Sequence, residues 1–178
     1  VYSGDIQSGW RDYVIFGGLP PIFSFETPDQ KSDFLKRLFG ETYLSDIIGR
    51  NDIRNKAELE ELLNILSSAM GSLTNATKLS NTFKSVKNKT ITKPTIIRYI
   101  DYLCDSYLIE KAIRYDIKGK KYIDTPSKYY FTDLGLRNAR LNFRQIEETH
   151  AMENIIFNEL KVRGFNVDVG VVVINETD

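Results

Sequence analysis

The stretch "TITKPTIIRYIDYLCDSYLIEKAIRYD", residues 90–116, constrains the fold most because its apolar spacing changes part-way along. Its first half carries an apolar stripe at four- and three-residue steps, made of Ile96, Ile100, Leu103 and Tyr107. That spacing predicts one face of a helix, which Thr92 can cap and whose first turn suits Pro94. Residues 108–116 then alternate at a period of two, which predicts a strand.

The segments on either side predict a winged helix. Apolar residues at helical spacing predict helices over residues 30–48, with a break at Gly40, and over residues 56–70 and 75–83. Residues 49–55 are interpreted as a linker. Beyond the strand, a basic turn surrounds Gly119, and "KYYFTD", residues 128–133, is the returning strand. Three helices, a strand, a turn and a strand form a helix-turn-helix with a β-hairpin appended. The expected fold class is therefore mainly α with small β (α+β).

The two ends of the chain are less regular. Residues 1–28 are interpreted as turn-rich because Gly-Gly and Pro-Pro pairs punctuate their apolar run. Residues 150–163 predict a helix that Gly164 ends and that a buried strand follows. The side chains of that helix expected to point inward are Met152, Ile155, Ile156 and Leu160. This last piece is too small to close a core alone and is expected to open an incomplete α/β unit.

Composition indicates a soluble globular class. The 178 residues include 42% hydrophobic residues, and the mean hydropathy is −0.31. No apolar run is long enough to span a bilayer, and no signal peptide is visible, so a cytoplasmic location without membrane contact is expected. The single cysteine, Cys104, excludes an internal disulfide and fits a reducing compartment. Because the chain starts without Met, we expect an excised piece of a longer protein.

The zero net charge hides an uneven distribution. Residues 75–128 contain 12 Lys and Arg against 5 Asp and Glu, whereas the rest of the chain is acidic. A basic middle segment favours nucleic-acid contact. The alternative is that these lysines only decorate solvated loops.

A family resemblance rests on short motifs in a fixed order. These are "FGGLP", "YLSDIIGRNDIRN", the stretch of residues 90–116, "KYYFTDLGLRN" and "ENIIFNELKVRGFNV". Together they resemble the C-terminal half of prokaryotic AAA-superfamily ATPases of unknown physiological role. The resemblance implies an upstream P-loop ATPase core that uses ATP and Mg²⁺, then a helical lid, a winged helix and a domain similar to restriction nucleases.

On this resemblance, residues 1–55 correspond to the lid and its connector, residues 56–141 to the winged helix, and residues 142–178 to the start of the nuclease-like domain. The chain has no Walker phosphate loop, so the fragment is not expected to be an enzyme. Glu153 matches the first acidic residue of the nuclease pattern, but the Asp and Glu-x-Lys that should complete a Mg²⁺ site are missing. A solvated Glu153 is the simpler interpretation, and no metal site is expected.

The candidate DNA-binding residues lie on the helix of residues 90–116 and on the turn that follows. They are Lys93, Thr95, Arg98, Lys118, Lys120 and Lys121. Basic side chains at phosphates bind without regard to sequence and lose affinity as salt rises. Asp101 and Asp105 share the polar face and would repel phosphate, so only an end-on approach by the helix N-terminus fits.

Protein contact is the competing interpretation of the same segment. The winged helix would then be a spacer or interaction module that couples an ATPase core to a C-terminal domain, and a homo-oligomer is left open. Arg50 and Arg54 are candidates to approach a nucleotide in the full-length protein, against a helix-end salt bridge. His150 is expected at the surface and Cys104 in the core, and residues 129–131 are expected to be core or edge residues rather than base-stacking platforms.

Overall fold

The computed structural model describes residues 5–87, 90–115, 126–144 and 146–170. Its helices are α1 (Ile6–Phe16), α2 (Pro28–Arg37), α3 (Ser45–Arg50), α4 (Lys56–Ser68), α5 (Ala76–Lys87), α6 (Lys93–Asp105), α7 (Leu134–Arg140) and α8 (Glu148–Val162). Its strands are β1 (Ile109–Tyr115), β2 (Ser127–Phe131) and β3 (Val169–Gly170). The fold is mainly helical with a small mixed sheet, which confirms the α+β prediction.

Helices α4, α5 and α6 and strands β1 and β2 have the order of a winged helix. β1 and β2 are antiparallel, with Ile109 opposite Phe131 and Ile113 opposite Ser127. Before α5, Thr74 forms a β-bridge to Ser127, and the two residues exchange backbone hydrogen bonds of 2.9 and 2.8 Å. β3 adds to the other side of β1 in a parallel pairing, so the strand order is β2-β1-β3.

Helix α6 begins as predicted and ends earlier. The Thr92 hydroxyl caps it by accepting from the Thr95 amide. At its far end, the amide of Tyr107 donates to the Cys104 carbonyl and the amide of Leu108 donates to the Leu103 carbonyl. This pair of hydrogen bonds is the Schellman motif of a helix C-terminus. Tyr107 takes the left-handed conformation (φ 55°) that this ending requires. The predicted place of Tyr107 in the buried stripe is therefore wrong, because Tyr107 lies outside the helix and is exposed.

The prediction of a turn-rich N-terminal segment is also wrong for its first half. Asp5 caps α1 through the Ser8 amide, and the helix runs to Phe16 before Gly17 turns away at φ 75°. The Gly-Gly and Pro-Pro pairs act only beyond that point, where residues 20–24 form a 3₁₀ turn. The Asp5 cap thus starts a helix that the sequence did not predict, because the glycine and proline pairs after it indicated turns.

The predicted break at Gly40 is a change of helical pitch. Residues 28–50 stay helical throughout, and Leu38–Leu44 adopts a π-helical pitch between α2 and α3. Thr27 and Gln30 form a capping box at its start. Gly40 therefore lies inside a widened helical turn rather than at a helix end.

One hydrophobic cluster joins the elements. Its buried members include Val14 of α1, Leu35 of α2, Leu63 of α4, Leu103 of α6 and Ala151 of α8. Each of the three segments that the resemblance implies contributes to this cluster, and the domain boundaries near residues 55 and 141 stay predictions. None of the helices in the described part of the chain combines the length and hydropathy that a bilayer span requires.

Helix α8 buries a different face from the one predicted. Ala151, Asn154 and Phe157 are its buried residues, while Met152 and Ile156 are exposed. Phe157 stacks on Tyr130 of β2 with ring centroids 4.3 Å apart. The prediction is therefore wrong for Met152 and Ile156, whereas Ile155 and Leu160 are partly buried and Ile155 packs against the core. The helix contacts β2 through its asparagine and phenylalanine side.

Candidate nucleic-acid interface

The three predicted DNA-binding residues of α6 lie in its first two turns. Lys93 and Arg98 are exposed, and Thr95 is partly buried. The Thr95 hydroxyl is 2.9 Å from the Thr92 hydroxyl, so it belongs to the helix cap as well as to the surface. Two cationic side chains therefore stand near the positive end of the helix dipole, a suitable place for a phosphate.

A groove beside this helix end contains a further cation, Arg54, which the sequence had suggested as a nucleotide-binding residue. The groove encloses about 370 Å³ between the segment that precedes α4 and one face of α6, and Arg54, Thr95, Arg98 and Tyr102 line it. Among the described residues, neither Arg54 nor Arg98 has a carboxylate within ion-pair distance. Two arginines free to bind an external anion thus line one groove.

The groove also contains acidic side chains. Asp52, an exposed residue in the left-handed conformation (φ 48°), and Glu58 of α4 line it with the arginines. The pKa of Tyr99 in its wall is raised, first by burial and then by the charge of Glu58, while Arg98 lowers it. The groove is therefore mixed in charge, and a phosphate would be held at the arginines rather than throughout the groove.

The opposite end of α6 is unsuited to DNA. Asp101 and Asp105 are exposed, as is Ile97 between the two ends. A helix lying flat against a duplex would bring both carboxylates toward phosphate, whereas an end-on approach leaves them at a distance. The structure thus separates the charges along α6 in the order that end-on docking needs.

The predicted wing lysines, Lys118, Lys120 and Lys121, lie outside the described residues. Their contribution to a continuous positive surface therefore stays a prediction. Lys111 on β1 is exposed and lines a cavity of about 230 Å³ between the hairpin and α6. That cavity is also lined by Ile97, Ile113 and Asp101, so its walls mix apolar and polar side chains.

Of the two nucleotide candidates, Arg50 has an internal partner. Its guanidinium contacts Asp46, one turn earlier on α3, at 2.5 Å, and both side chains are exposed. This ion pair is the helix-end salt bridge that the sequence left open as the alternative. Arg54 lies instead in the groove with Arg98. The role of either arginine toward a nucleotide stays a prediction.

Glu153 is engaged inside the protein. Its Oε1 accepts from Lys128 Nζ at 2.6 Å and from the Tyr130 hydroxyl at 2.5 Å, so α8 is tied to β2. Burial raises the pKa of Glu153, but the hydrogen bonds from Lys128 and Tyr130 and the nearby positive charges outweigh it and hold the pKa below its usual value. Tyr130 responds in the opposite sense, since burial and the Glu153 carboxylate raise the pKa of its hydroxyl.

These contacts give Glu153 a structural role. A carboxylate neutralised by lysine has little remaining attraction for Mg²⁺. Across the described ranges, no three side chains of His, Cys, Asp or Glu gather as a metal site would need. His150 lies on the same helix, 3.5 Å from Glu147, and its Nδ1 is buried without a hydrogen-bond partner.

Two asparagines that the sequence analysis passed over hold β2 most directly. The Phe131 amide donates to Asn154 Oδ1 at 2.8 Å, and Asn154 Nδ2 donates back to the Phe131 carbonyl at 2.7 Å. Asn158 Nδ2 donates to the carbonyls of Phe131 and Thr132. Asparagine is a poor residue for a helix interior, so two of them one turn apart in α8 were the available signal.

Aromatic residues 129–131 serve the core. Tyr129, Tyr130 and Phe131 are all buried, which leaves no face for a base to stack on. Burial raises the pKa of Tyr129 to about 12 and the pKa of the Cys104 thiol to about 11. Cys104 is only partly buried, but at that pKa its thiol is protonated and chemically quiet.

Comparison with known proteins gives a family without an assigned activity. The family described as "Domain of unknown function (DUF8612)" matches residues 7–147. An "Uncharacterized protein" of Haemophilus influenzae is 34% identical over 169 residues, which cover 95% of this chain and 42% of that protein. "Uncharacterized protein MJ1544" of Methanocaldococcus jannaschii is 31% identical over 165 residues, covering 93% of this chain and 36% of that protein. The chain thus spans about two fifths of these relatives, and no solved structure matches it.

Proposed function

The chain belongs to the family described as Domain of unknown function (DUF8612), and we propose that it is the DNA-engaging segment of a longer AAA-type ATP-binding protein. More than half of each similar relative lies outside the matched stretch, which leaves room for an ATPase core. In this proposal the core binds ATP and Mg²⁺, and the chain itself carries no catalysis. The motifs that resemble AAA-superfamily ATPases support this assignment.

The cationic side chains at the N-terminal end of α6 are the main support for this proposal. Arg98 and Arg54 share a groove, no carboxylate in the described part of the chain pairs with either, and exposed Lys93 stands at the same helix end. Each such cation that meets a phosphate releases a condensed counterion from the duplex. Because phosphates carry no base identity, the binding is non-specific, and salt governs its strength. In this proposal Lys118, Lys120 and Lys121 add further phosphate contacts.

A salt titration of a fluorescently labelled duplex tests the proposal. The parent chain should bind at about 50 mM salt, and binding should weaken steadily as salt rises. Replacing Lys118, Lys120 and Lys121 together with Ala should flatten the log–log salt dependence by up to about three, one for each lost phosphate contact. The loss should be similar for unrelated duplex sequences. A parent chain that fails to bind at low salt would refute DNA engagement by this segment.

The same preparation tests the catalytic part of the proposal. With Mg²⁺, ATP and a DNA substrate present, the purified chain should release neither phosphate nor DNA fragments, because it has no phosphate loop and an incomplete carboxylate set. Turnover that persists in Glu153→Gln would reveal a site elsewhere in the chain.

A second candidate function is a coupling module, and the contacts between α8 and β2 favour it. Glu153, Asn154 and Asn158 all bind residues of β2 or its end, so the hairpin and α8 are joined as one unit. In this proposal the winged helix transmits the state of an ATPase core to the segment that begins with α8. A module of this kind binds duplex weakly at all salt concentrations. Its triple-lysine variant behaves like the parent, which separates the two candidates.

A further inference from the structure

An apolar surface runs along α1 and α8, on the opposite side of α8 from its contacts with β2. Its members are Ile6, Trp10, Tyr13, Met152 and Ile156, and all five are exposed. On α1 they recur at four- and three-residue steps, and on α8 they are one turn apart, so each set forms a helical stripe. We refer to these five residues as the α1–α8 surface.

The two stripes are continuous across the helices. Trp10 and Met152 line the same cavity of about 330 Å³, whose floor is made by Val14 and Ile15 of α1 and by Ile146. Farther along α1, burial raises the pKa of Tyr13, and the charges of Asp133 and of Glu159 on α8 raise it further. The apolar side chains of α1 and α8 thus meet at the cavity that Trp10 and Met152 share. Arg11 and Glu148 stand at its rim.

Resting on the proposal that this chain is a segment of a longer protein, we infer that the α1–α8 surface is covered by the part of that protein outside the matched stretch. Contiguous apolar surfaces with a polar rim mark interaction sites. Similar relatives carry more than half of their length beyond this chain, so a large covalently attached partner is available. The fitting occupant is an apolar helix face, since two helical stripes form a groove that suits one.

The size of the surface favours an attached occupant over a second copy or a free protein. Five side chains between 39% and 92% exposed offer on the order of a few hundred Å². A stable interface between separate proteins needs roughly 800 Å² on each side. Covalent attachment raises the effective concentration of the occupant to about the millimolar range, at which a small apolar contact is sufficient.

Methionine oxidation reports on this surface directly. The sequence has two methionines: Met152 on the surface is 48% exposed, and Met70 in the core is 2% exposed. In the isolated chain, peroxide should convert Met152 to the sulfoxide much faster than Met70. Peptide mass spectrometry measures both rates in one sample, so Met70 serves as the internal reference.

The test compares the isolated chain with a chimera in which this chain replaces the matched stretch of the Haemophilus influenzae relative. In the chimera, Met152 oxidation should slow at least several-fold toward the Met70 rate. Ile156→Glu should restore fast oxidation there. Ile97→Glu should not, because Ile97 is equally exposed (51% against 53% for Ile156) but lies on α6. Acrylamide quenching of Trp10 in the isolated chain should match an exposed indole at every protein concentration.

Two results would overturn the inference. Met152 that oxidises equally fast in the chimera and in the isolated chain would show that the attached polypeptide leaves the surface open. Met152 protection that appears in the isolated chain as its concentration rises, and that Ile156→Glu abolishes, would show that a second copy is the occupant. All variants change exposed side chains, and an unchanged circular dichroism melt of each confirms that the fold is retained.

Discussion

The charged residues at the α6 end and those at the α8–β2 contact differ in whether the protein supplies their partners. Lys128 and Glu153 neutralise each other at 2.6 Å, and Tyr130 adds a hydrogen bond to the same carboxylate oxygen. Arg54 and Arg98 line an open groove, and no described carboxylate pairs with them. Charges satisfied internally stabilise the fold, whereas charges left open are available for a ligand.

The comparison implies opposite responses to mutation. Residues at the α8–β2 contact should affect unfolding and leave DNA binding largely unchanged. Residues at the α6 end should affect DNA binding and leave unfolding largely unchanged. A variant that affects both properties strongly would show that the two regions are energetically linked.

The largest expected effect belongs to Asn154→Ala. The change leaves the buried amide of Phe131 without its partner, at about 1–3 kcal/mol, and removes one of the two side-chain bonds to the Phe131 carbonyl, at about 1 kcal/mol, because that carbonyl keeps its bond from Asn158. We expect the free energy of unfolding to fall by about 3 kcal/mol, measured by urea denaturation. Asn158→Ala is the matched control and should cost about 1 kcal/mol, because the Phe131 carbonyl keeps its bond from Asn154. Equal losses of stability in both variants would contradict the prediction that the bond from the Phe131 amide to Asn154 contributes most.

Arg54→Ala combined with Arg98→Ala should give the second effect. Losing two phosphate contacts should lower the slope of duplex affinity against salt by about two on logarithmic axes. The free energy of unfolding should change by less than about 0.5 kcal/mol, since both side chains are exposed. The charge-matched control replaces Arg50 and Arg163, which are held by Asp46 and Glu159. If that control lowers the slope equally, the α6 end is not the contact.

Glu153→Gln should have a smaller effect that depends on pH. Because the folded state lowers the pKa of Glu153, the carboxylate stabilises the fold above its ordinary value of 4.5, and that stabilisation is lost as pH falls through the lowered pKa. We expect a cost of about 1 kcal/mol near pH 7, limited by solvent screening of this partly exposed pair. The difference from the parent should shrink in urea titrations below about pH 4. Lys128→Met should remove most of the same pH dependence, and a cost that is constant with pH would exclude the ion pair as its cause.

Arg50→Ala should have the smallest effect. The Arg50–Asp46 pair is exposed on both sides, and such pairs contribute about 0.5 kcal/mol or less. Thermal unfolding at low and high salt should therefore differ little between the variant and the parent. A larger loss would mean that Arg50 has a partner beyond Asp46.

Local signals made part of the fold predictable. Thr92 caps α6 and Pro94 suits its first turn, so both residues indicate where the helix starts. The change in the spacing of apolar residues after residue 107 predicts β1. The prediction of Tyr107 as buried failed because a helix ending, rather than the apolar spacing, determines its direction. The predicted inward face of α8 is wrong at two of its four residues, Met152 and Ile156, for another reason. Met152 and Ile156 are apolar but exposed, whereas Asn154 is buried because its side chain hydrogen-bonds the backbone of Phe131 in β2.

The site was predictable only where its residues share one helix. Lys93, Thr95 and Arg98 are neighbours on α6, so helical geometry alone places them at one end. Arg54 joins them because the linker before α4 packs beside α6, and that proximity depends on the whole core. The ion-pair partner of Glu153, Lys128, likewise lies on a strand that is remote in the sequence, so a short sequence motif does not reveal it.

The outer edge of β2 has a consequence for aggregation. Its backbone groups are occupied by partners that do not belong to a strand: Ser127 by Thr74, Tyr129 by the Gly71 amide, and Phe131 by Asn154. A bare edge strand with buried aromatic residues would be a template for pairing with another molecule. Because the loop before α5 and the side chains of α8 take these groups, the sheet offers no such template there. A chain that has lost Asn154 exposes the last position of that edge and should form intermolecular β-structure more readily on heating.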